Sequence, residues 1–159
     1  YLNMVVEKCT GCRQCELACS FRASGNFNPA KSLIRAFIFD EQARYVPFTC
    51  LQCEEAWCMT SCPVQAIKED SLTGAKVIRE DLCVGCKVCT VACPFGTIFY
   101  NSQTGKAVKC DLCVGTPECV KSCPTAAIEY RPIDTLGFTK MKDWANRLED
   151  AYRREVLPK

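Results

Sequence analysis

At 159 residues the chain has room for one compact unit or two small lobes. Its 20 Lys plus Arg against 18 Asp plus Glu leave a formal charge of +2, which gives no argument for nucleic acid or an anionic membrane as partner. Sixteen cysteines and no histidine suggest a small secreted disulfide scaffold, a reading that has to be tested before it is dismissed. No stretch approaches the roughly 20 apolar residues of a spanning helix, so no direct membrane span is expected. YLNMVVEKC at the start lacks the apolar region and small-residue cleavage site of a secretion signal. The chain therefore reads as soluble and cytoplasmic, although a start at Tyr1 and not Met leaves room for a processed leader.

In chain order, the first dense feature is CTGCRQCELACS, with Cys9, Cys12, Cys15 and Cys19. Residues 32–49, SLIRAFIFDEQARYVPFT, read as two strands joined by a polar DEQA turn. A second run follows at Cys50, Cys53, Cys58 and Cys62, a third at Cys83, Cys86, Cys89 and Cys93, and a fourth at Cys110, Cys113, Cys119 and Cys123. Every cysteine falls in a run. Each run keeps two residues in its first gap and three in its last, while the middle gap is two, four, two and five. Proline follows the last cysteine in three runs, as Pro63, Pro94 and Pro124.

The segments after the runs repeat as well. Pro63, Ile67 and Gly74 recur 31 places on as Pro94, Ile98 and Gly105, and PTAAIEY from Pro124 reopens the same unit. Each repeat reads as a short helix and a hairpin whose turn is marked by Thr-Gly. Ile67, Ile98 and Ile128 are expected to pack against the chemistry the cysteines hold, keeping water from it.

Three readings compete for the cysteines. Disulfides need partners with Cα atoms about 4.4 to 6.8 Å apart in suitable orientation, which four tight quartets serve poorly. Structural zinc would use two C-x2-C knuckles separated by roughly 15 to 20 residues; that alternative stays open but fits the spacing less well. The bacterial C-x2-C-x2-C-x3-C-P run is that of a 4Fe-4S site, three thiolates going to one cluster and the fourth to a neighbour. The first and third runs have this spacing, the third with its proline. A tight loop can direct three thiolates to three corners of one cube, with the fourth cysteine expected at the start of a following helix and proline in that helix's first turn. Sixteen thiolates at four per cluster make four clusters. So few residues remain for an apolar core that the clusters are expected to carry much of the folding free energy, leaving the apo chain largely unfolded.

Across residues 7–130, CTGCRQCELACSF, FTCLQCEEAWCMTSCP, CVGCKVCTVACPFG and KCDLCVGTPECVKSCPTAAI resemble the four-cluster, ferredoxin-like electron-transfer subunits of molybdenum and tungsten oxidoreductases, formate dehydrogenases, hydrogenases and carbon monoxide dehydrogenases. FNPAKSLIR, residues 27–35, is most similar to the small subunits paired with tungsten aldehyde oxidoreductases. The resemblance implies an α+β fold of tandem bacterial ferredoxin-like pseudo-domains, each with two clusters, short helices and small antiparallel hairpins. An outer unit would span 1–30 and 105–133, an inner unit 45–104, and a C-terminal amphipathic helix 134–159. It also implies that the fourth cysteines are exchanged: Cys9, Cys12, Cys15 with Cys123; Cys110, Cys113, Cys119 with Cys19; Cys50, Cys53, Cys58 with Cys93; and Cys83, Cys86, Cys89 with Cys62.

Function follows as an expectation. The chain has no histidine for a general base, no G-x-G-x-x-G fingerprint and no Walker motif, and its cysteines are all assigned, so no catalytic residue is expected. A wire subunit of an anaerobic oxidoreductase complex is the preferred reading, its partner a catalytic subunit with a molybdenum or tungsten pterin, with a flavin subunit or ferredoxin as a further partner. The alternatives are the iron-sulfur subunit of a formate dehydrogenase, hydrogenase, carbon monoxide dehydrogenase or benzoyl-CoA reductase, or a free polyferredoxin. A free carrier is expected to be strongly acidic, and this chain is nearly neutral. Lys8, Arg13, Lys87, Lys109 and Lys121 flank ligands and read either as charges that ease reduction or as solvated surface cations. In the tail, Met141, Trp144, Leu148, Ala151, Tyr152 and the 155–156 pair follow a spacing of about 3.6 residues, with Lys142, Asp143, Arg147, Glu149, Asp150 and Arg154 mostly opposite. That helix is expected to cover the chain's own body or to dock on another subunit; docking on a second copy would make end-to-end filaments.

Overall fold

The structure is a computed structural model that describes residues 1–131 together with 141, 142, 144–146 and 148. Among the described residues the chain is a small α+β protein whose strands pair only two by two, every pair antiparallel. β1 (Leu2–Met4) pairs with β8 (Ile128–Tyr130), β2 (Arg35–Phe39) with β3 (Arg44–Phe48), β4 (Ile67–Glu69) with β5 (Lys76–Ile78), and β6 (Phe99–Asn101) with β7 (Lys106–Val108). An isolated two-stranded ribbon is marginal in water, so each pair must be held by more than its own ladder.

The hairpin expected over 32–49 is β2–β3, in register from Arg35 opposite Phe48 to Phe39 opposite Arg44. The two Thr-Gly hairpins are β4–β5 and β6–β7, and their likeness extends further than the sequence reading went. In both, the turn glycine donates its N–H to the carbonyl four residues back, Gly74 to Asp70 at 2.8 Å and Gly105 to Asn101 at 2.9 Å. Asp70 and Asn101, also 31 places apart, each turn a side-chain oxygen onto the loop's own N–H groups. The opening of the third repeat is completed from the other end of the chain: Ile128 lies opposite Met4, and Tyr130 opposite Leu2. The strand β1 was not expected from sequence, because three residues are too short to show a period.

Four helices accompany the runs: α1 (Gln14–Ser24), α2 (Trp57–Thr60), α3 (Val88–Ala92) and α4 (Glu118–Lys121). Their placement corrects the expectation that each fourth cysteine opens a helix. The helix holds the third cysteine, Cys15, Cys58, Cys89 or Cys119, and in the last three runs it ends before or at the fourth. The prolines therefore sit in turns and not in first helical turns. Gln65, Gly96 and Ala126 donate their N–H groups to the carbonyls of Cys62, Cys93 and Cys123. This puts each proline second in a β-turn, where its fixed φ is already suitable.

Two apolar clusters form around the cysteines. One gathers Leu2, Cys15, Ile34, Ala75, Leu112, Cys119 and Ile128; the other gathers Ala66, Ile67, Cys83, Cys89, Ile98 and Ala107. Ile67, Ile98 and Ile128 are thus buried beside thiols, as the repeats implied. α1 packs on α4 and α2 on α3. The helix expected over 134–159 lies outside the described residues apart from a few positions; of these, Met141, Trp144 and Leu148 are helical and exposed. No helix among the described residues is long and apolar enough to cross a membrane.

Candidate functional site

Folding draws thiols from different runs together. Cys50, Cys53 and Cys58 of the second run and Cys93 of the third line one cavity of about 300 Å3. Cys83, Cys86 and Cys89 of the third run and Cys62 of the second line a tighter one, about 20 Å3. Cys110, Cys113 and Cys119 of the fourth run and Cys19 of the first line a third, wider one, about 710 Å3. Cys15 of the first run faces Cys12 and, across the molecule, Cys123 of the fourth. Cys9 ends the 3-10 turn Val6–Lys8 that leads into the same loop.

Among the described residues no three of these side chains stand close enough to hold a single metal ion; the sulfurs ring a space. A polynuclear iron-sulfur cluster takes one thiolate at each corner, whereas a zinc ion sits about 2.3 Å from every sulfur. Four thiols from two runs are the donor set of a cluster, and the two wider cavities have room for one.

Within a run, position sets the character of the thiol. The third cysteines lie on helices that pack into the core. Burial pushes the Cys15 thiol up to about 12, with the neighbouring Glu16 adding to it, and burial raises Cys58, Cys89 and Cys119 as well. Cys110 is pushed by burial to about 11. Two of the fourth cysteines that precede a proline turn, Cys93 and Cys123, go the other way. At Cys93, burial is outweighed by the Thr97 hydroxyl and by N–H groups of Thr97, Phe95 and Gly96; at Cys123, by N–H groups of Ala127 and Thr125, the Thr125 hydroxyl and the Ile128 N–H. Both thiols lie below their ordinary value. Ala66 and Ala127 donate N–H to Cys62 and Cys123 Sγ, each at 3.3 Å, four residues on from the sulfur. Cys19, inside α1, receives its N–H from the distant Leu33 at 3.4 Å. A turn or loop that presents N–H groups to sulfur stabilises the thiolate that a metal needs.

The five flanking cations separate into two kinds. Lys8, Arg13, Lys87 and Lys121 are exposed. Arg13 pairs with Glu16 at 2.8 Å, Lys121 with Glu118 at 2.7 Å, and Lys87 lies over the Tyr100 ring at 4.1 Å. Lys109 is buried, so the surface-charge reading fails for it.

Sequence reasoning also passed over Gln52, Lys76 and Glu16, all buried. Gln52 Nε2 donates to the Cys110 carbonyl at 2.8 Å, and its Oε1 accepts the Lys76 N–H at 2.9 Å. Glu16 Oε1 accepts the Ala36 N–H at 2.8 Å, tying α1 to β2. The one available signal for Gln52 was its place inside the C-x2-C of the second run, where a side chain cannot travel far from the ligands.

A model of the 4Fe-4S dicluster domain matches residues 41–132, more than half of the chain, and a model of a 4Fe-4S binding domain matches residues 6–22. The chain is 39% identical over 94 residues to the aliphatic sulfonate oxidoreductase polyferredoxin-like subunit of Pyrococcus furiosus, covering 59% of this chain and 54% of that protein. It is 38% identical over 95 residues to formate hydrogenlyase subunit 2 of Escherichia coli, covering 60% and 45%. The chain spans about half the length of the curated relatives it matches. Among solved structures, the active site complex BamBC of benzoyl coenzyme A reductase overlays with a TM-score of 0.47 at 26% identity, covering 98% of this chain and 90% of that one. With the cysteine spacing, the thiol rings and the match to 41–132 in agreement, the protein belongs to the 4Fe-4S dicluster domain family.

Proposed function

We propose that the chain is a non-catalytic electron-transfer subunit that holds four 4Fe-4S clusters and carries electrons between a catalytic oxidoreductase partner and a second redox subunit or carrier. The ligand sets in this reading are Cys9, Cys12, Cys15 and Cys123; Cys19, Cys110, Cys113 and Cys119; Cys50, Cys53, Cys58 and Cys93; and Cys62, Cys83, Cys86 and Cys89. The first two make an outer unit, 1–30 with 105–133, and the last two an inner unit, 45–104.

The observation that carries the reading is the order in which the quartets adjoin. Cys119 feels both its own quartet and Cys15 of the next, and Cys110 feels Cys50 of the inner unit. Inside that unit α2, with Cys58, packs on α3, with Cys89. Four sites, each adjoining the next, would suit a wire. Each 4Fe-4S cluster supplies, when bound, a one-electron couple whose potential depends on charge, hydrogen bonds to sulfur and exposure. The chain's residues provide the rest: thiolates anchor, N–H groups of Leu33, Ala66 and Ala127 steady the fourth sulfurs, and Ile67, Ile98 and Ile128 exclude water.

The names of the relatives, subunits of a sulfonate oxidoreductase and a formate hydrogenlyase, support a place inside a larger complex. The partner in this reading is a cytoplasmic catalytic subunit bearing a molybdenum or tungsten pterin, tungsten aldehyde oxidoreductase being the first choice, and the tail beyond residue 134 docks on it or on a second copy of this chain.

The test is anaerobic affinity purification of the tagged chain from its native cell, with elemental analysis of the assembly. Sixteen iron atoms per chain with stoichiometric tungsten or molybdenum is the expected result. Nickel would redirect the partner to a hydrogenase or carbon monoxide dehydrogenase, zinc in place of iron would overturn the cluster reading, and sixteen irons on a lone chain would make it a free polyferredoxin.

A further inference from the structure

Lys109 lines both of the wider cavities, the one ringed by Cys50, Cys53, Cys58 and Cys93 and the one ringed by Cys19, Cys110, Cys113 and Cys119; no other described residue does so. Its side chain is buried, and the ammonium is fully engaged. Nζ donates to the Cys110 carbonyl at 2.8 Å, to Gln52 Oε1 at 3.3 Å and to the Lys76 carbonyl. All three acceptors are uncharged. Among the described residues no carboxylate pairs with it, whereas Lys76, equally buried, meets Glu69 at 2.7 Å. An ammonium taken out of water without a counter-charge is heavily penalised, so its place implies negative charge nearby. The groups it faces that become anionic as metal-bound thiolates come from both rings, Cys53 and Cys58 on one side and Cys110 on the other.

Resting on the four-cluster reading, we propose that Lys109 is a shared counter-charge at the junction of the inner and outer units, raising the potentials of the two clusters that flank it relative to the two at the ends. Reduction of either site adds one electron, taken from the oxidoreductase partner, and one unit of negative charge, with no bond made or broken. A fixed cation nearby in a medium of low dielectric favours that reduced state. Gln52 is the positioning residue: its Oε1 holds the ammonium while its Nε2 holds the Cys110 carbonyl on the far side, so the cation cannot drift towards one site. The junction thereby becomes the place where an electron in the chain rests most readily.

The experiment is a dithionite titration of the full chain, anaerobically loaded with iron and sulfide and followed by electron paramagnetic resonance. Wild type is compared with Lys109→Met, Lys109→Arg and Gln52→Glu. Lys109→Met removes the cation; Gln52→Glu keeps it and neutralises it in place, so the test survives a folding defect in the first variant. The expected result is four couples of which two shift downward in both variants. At the wild-type midpoint the reduced-to-oxidised ratio of those two should fall about tenfold, which for one electron is about 59 mV. The charge-retaining Lys109→Arg should restore them. A uniform shift of all four couples, no shift at sixteen irons, or loss of iron from both variants would overturn the proposal. Fewer than sixteen irons in wild type would instead remove the four-cluster reading beneath it.

Discussion

The first and third runs share one spacing, C-x2-C-x2-C-x3-C, and share a left-handed residue before the helix, Arg13 at φ +59° and Lys87 at φ +63°. They part at one position. After the first run's last cysteine comes Ser20, and the helix continues to Ser24; after the third run's comes Pro94, and the chain turns at once. The longer helix turns into a docking element. Ser20, fully buried, donates its hydroxyl to the Leu17 carbonyl at 2.8 Å and accepts the Asn28 N–H at 3.1 Å. Glu16 binds the β2–β3 hairpin, while its counterpart Thr90 donates only to the Lys87 carbonyl at 2.7 Å. Identical ligand spacing thus serves two jobs: the first run recruits a distant hairpin, and the third hands directly into its own.

Exchanging the divergent residue should break this comparison most severely. Ser20→Pro removes an interior helical N–H and both hydroxyl bonds at a fully buried position. Roughly 4 kcal/mol or more should be lost, read as failure of the anaerobically loaded chain to retain its iron. The reverse change, Pro94→Ser, relaxes only the unfolded chain and should cost about 0.5–1 kcal/mol. Equal losses from both would end the distinction.

The loop glycines give the next largest effect. A Cβ on Gly85 would lie 2.1 Å from the Gly105 carbonyl oxygen, part of the backbone, while one on Gly11 would meet the Tyr45 ring at 2.5 Å, which can swing aside. Both positions have positive φ. Gly85→Ala should destabilise by about 3 kcal/mol or more and Gly11→Ala by about 1–2 kcal/mol in anaerobic denaturant titrations; the opposite ranking would show that the third run's hairpin is the looser one.

A smaller contrast concerns Glu16. Glu16→Gln keeps an acceptor for Ala36 but weakens the pairing with the half-exposed Arg13, for a loss of about 1 kcal/mol, against under about 0.5 kcal/mol for Thr90→Ala. Matching losses would deny α1 its docking role.

The smallest effect is acid dependence, and it compares the two repeat hairpins. The Thr73 hydroxyl, with N–H groups of Thr73 and Leu72, holds the Asp70 carboxyl below its usual 3.8. Because the folded value is depressed, this contribution is present above the unfolded value and lost as pH falls through the folded one. Asn101 in the second hairpin has nothing to titrate. A nuclear magnetic resonance titration should give an Asp70 midpoint below 3.8; a midpoint at or above it would make the two turns equivalent.

Much of the site was legible because cluster ligation is local arithmetic. Cysteine spacing identified all sixteen candidate ligands, the Thr-Gly pairs marked β4–β5 and β6–β7, and DEQA marked the bend between β2 and β3. The helix boundaries were misread because a loop that aims three thiolates does not say on which side of the fourth the helix ends. Hydrogen bonds from the turn back to Cys62, Cys93 and Cys123 settle that, and they depend on backbone geometry that composition does not carry.

By itself the sequence determined the chemistry: thiol type, number and spacing are properties of the covalent chain, and the turns that present them are set by residues close to one another in it. Tertiary structure alone decided which runs share a cavity, that β1 closes on β8, and that one lysine of five flanking cations is enclosed between two thiol rings. Those outcomes join residues tens of positions apart, Gln52 with Cys110 and Cys19 with Cys119, and they follow from packing, since burial belongs to the folded surface as a whole and to no local stretch of chain.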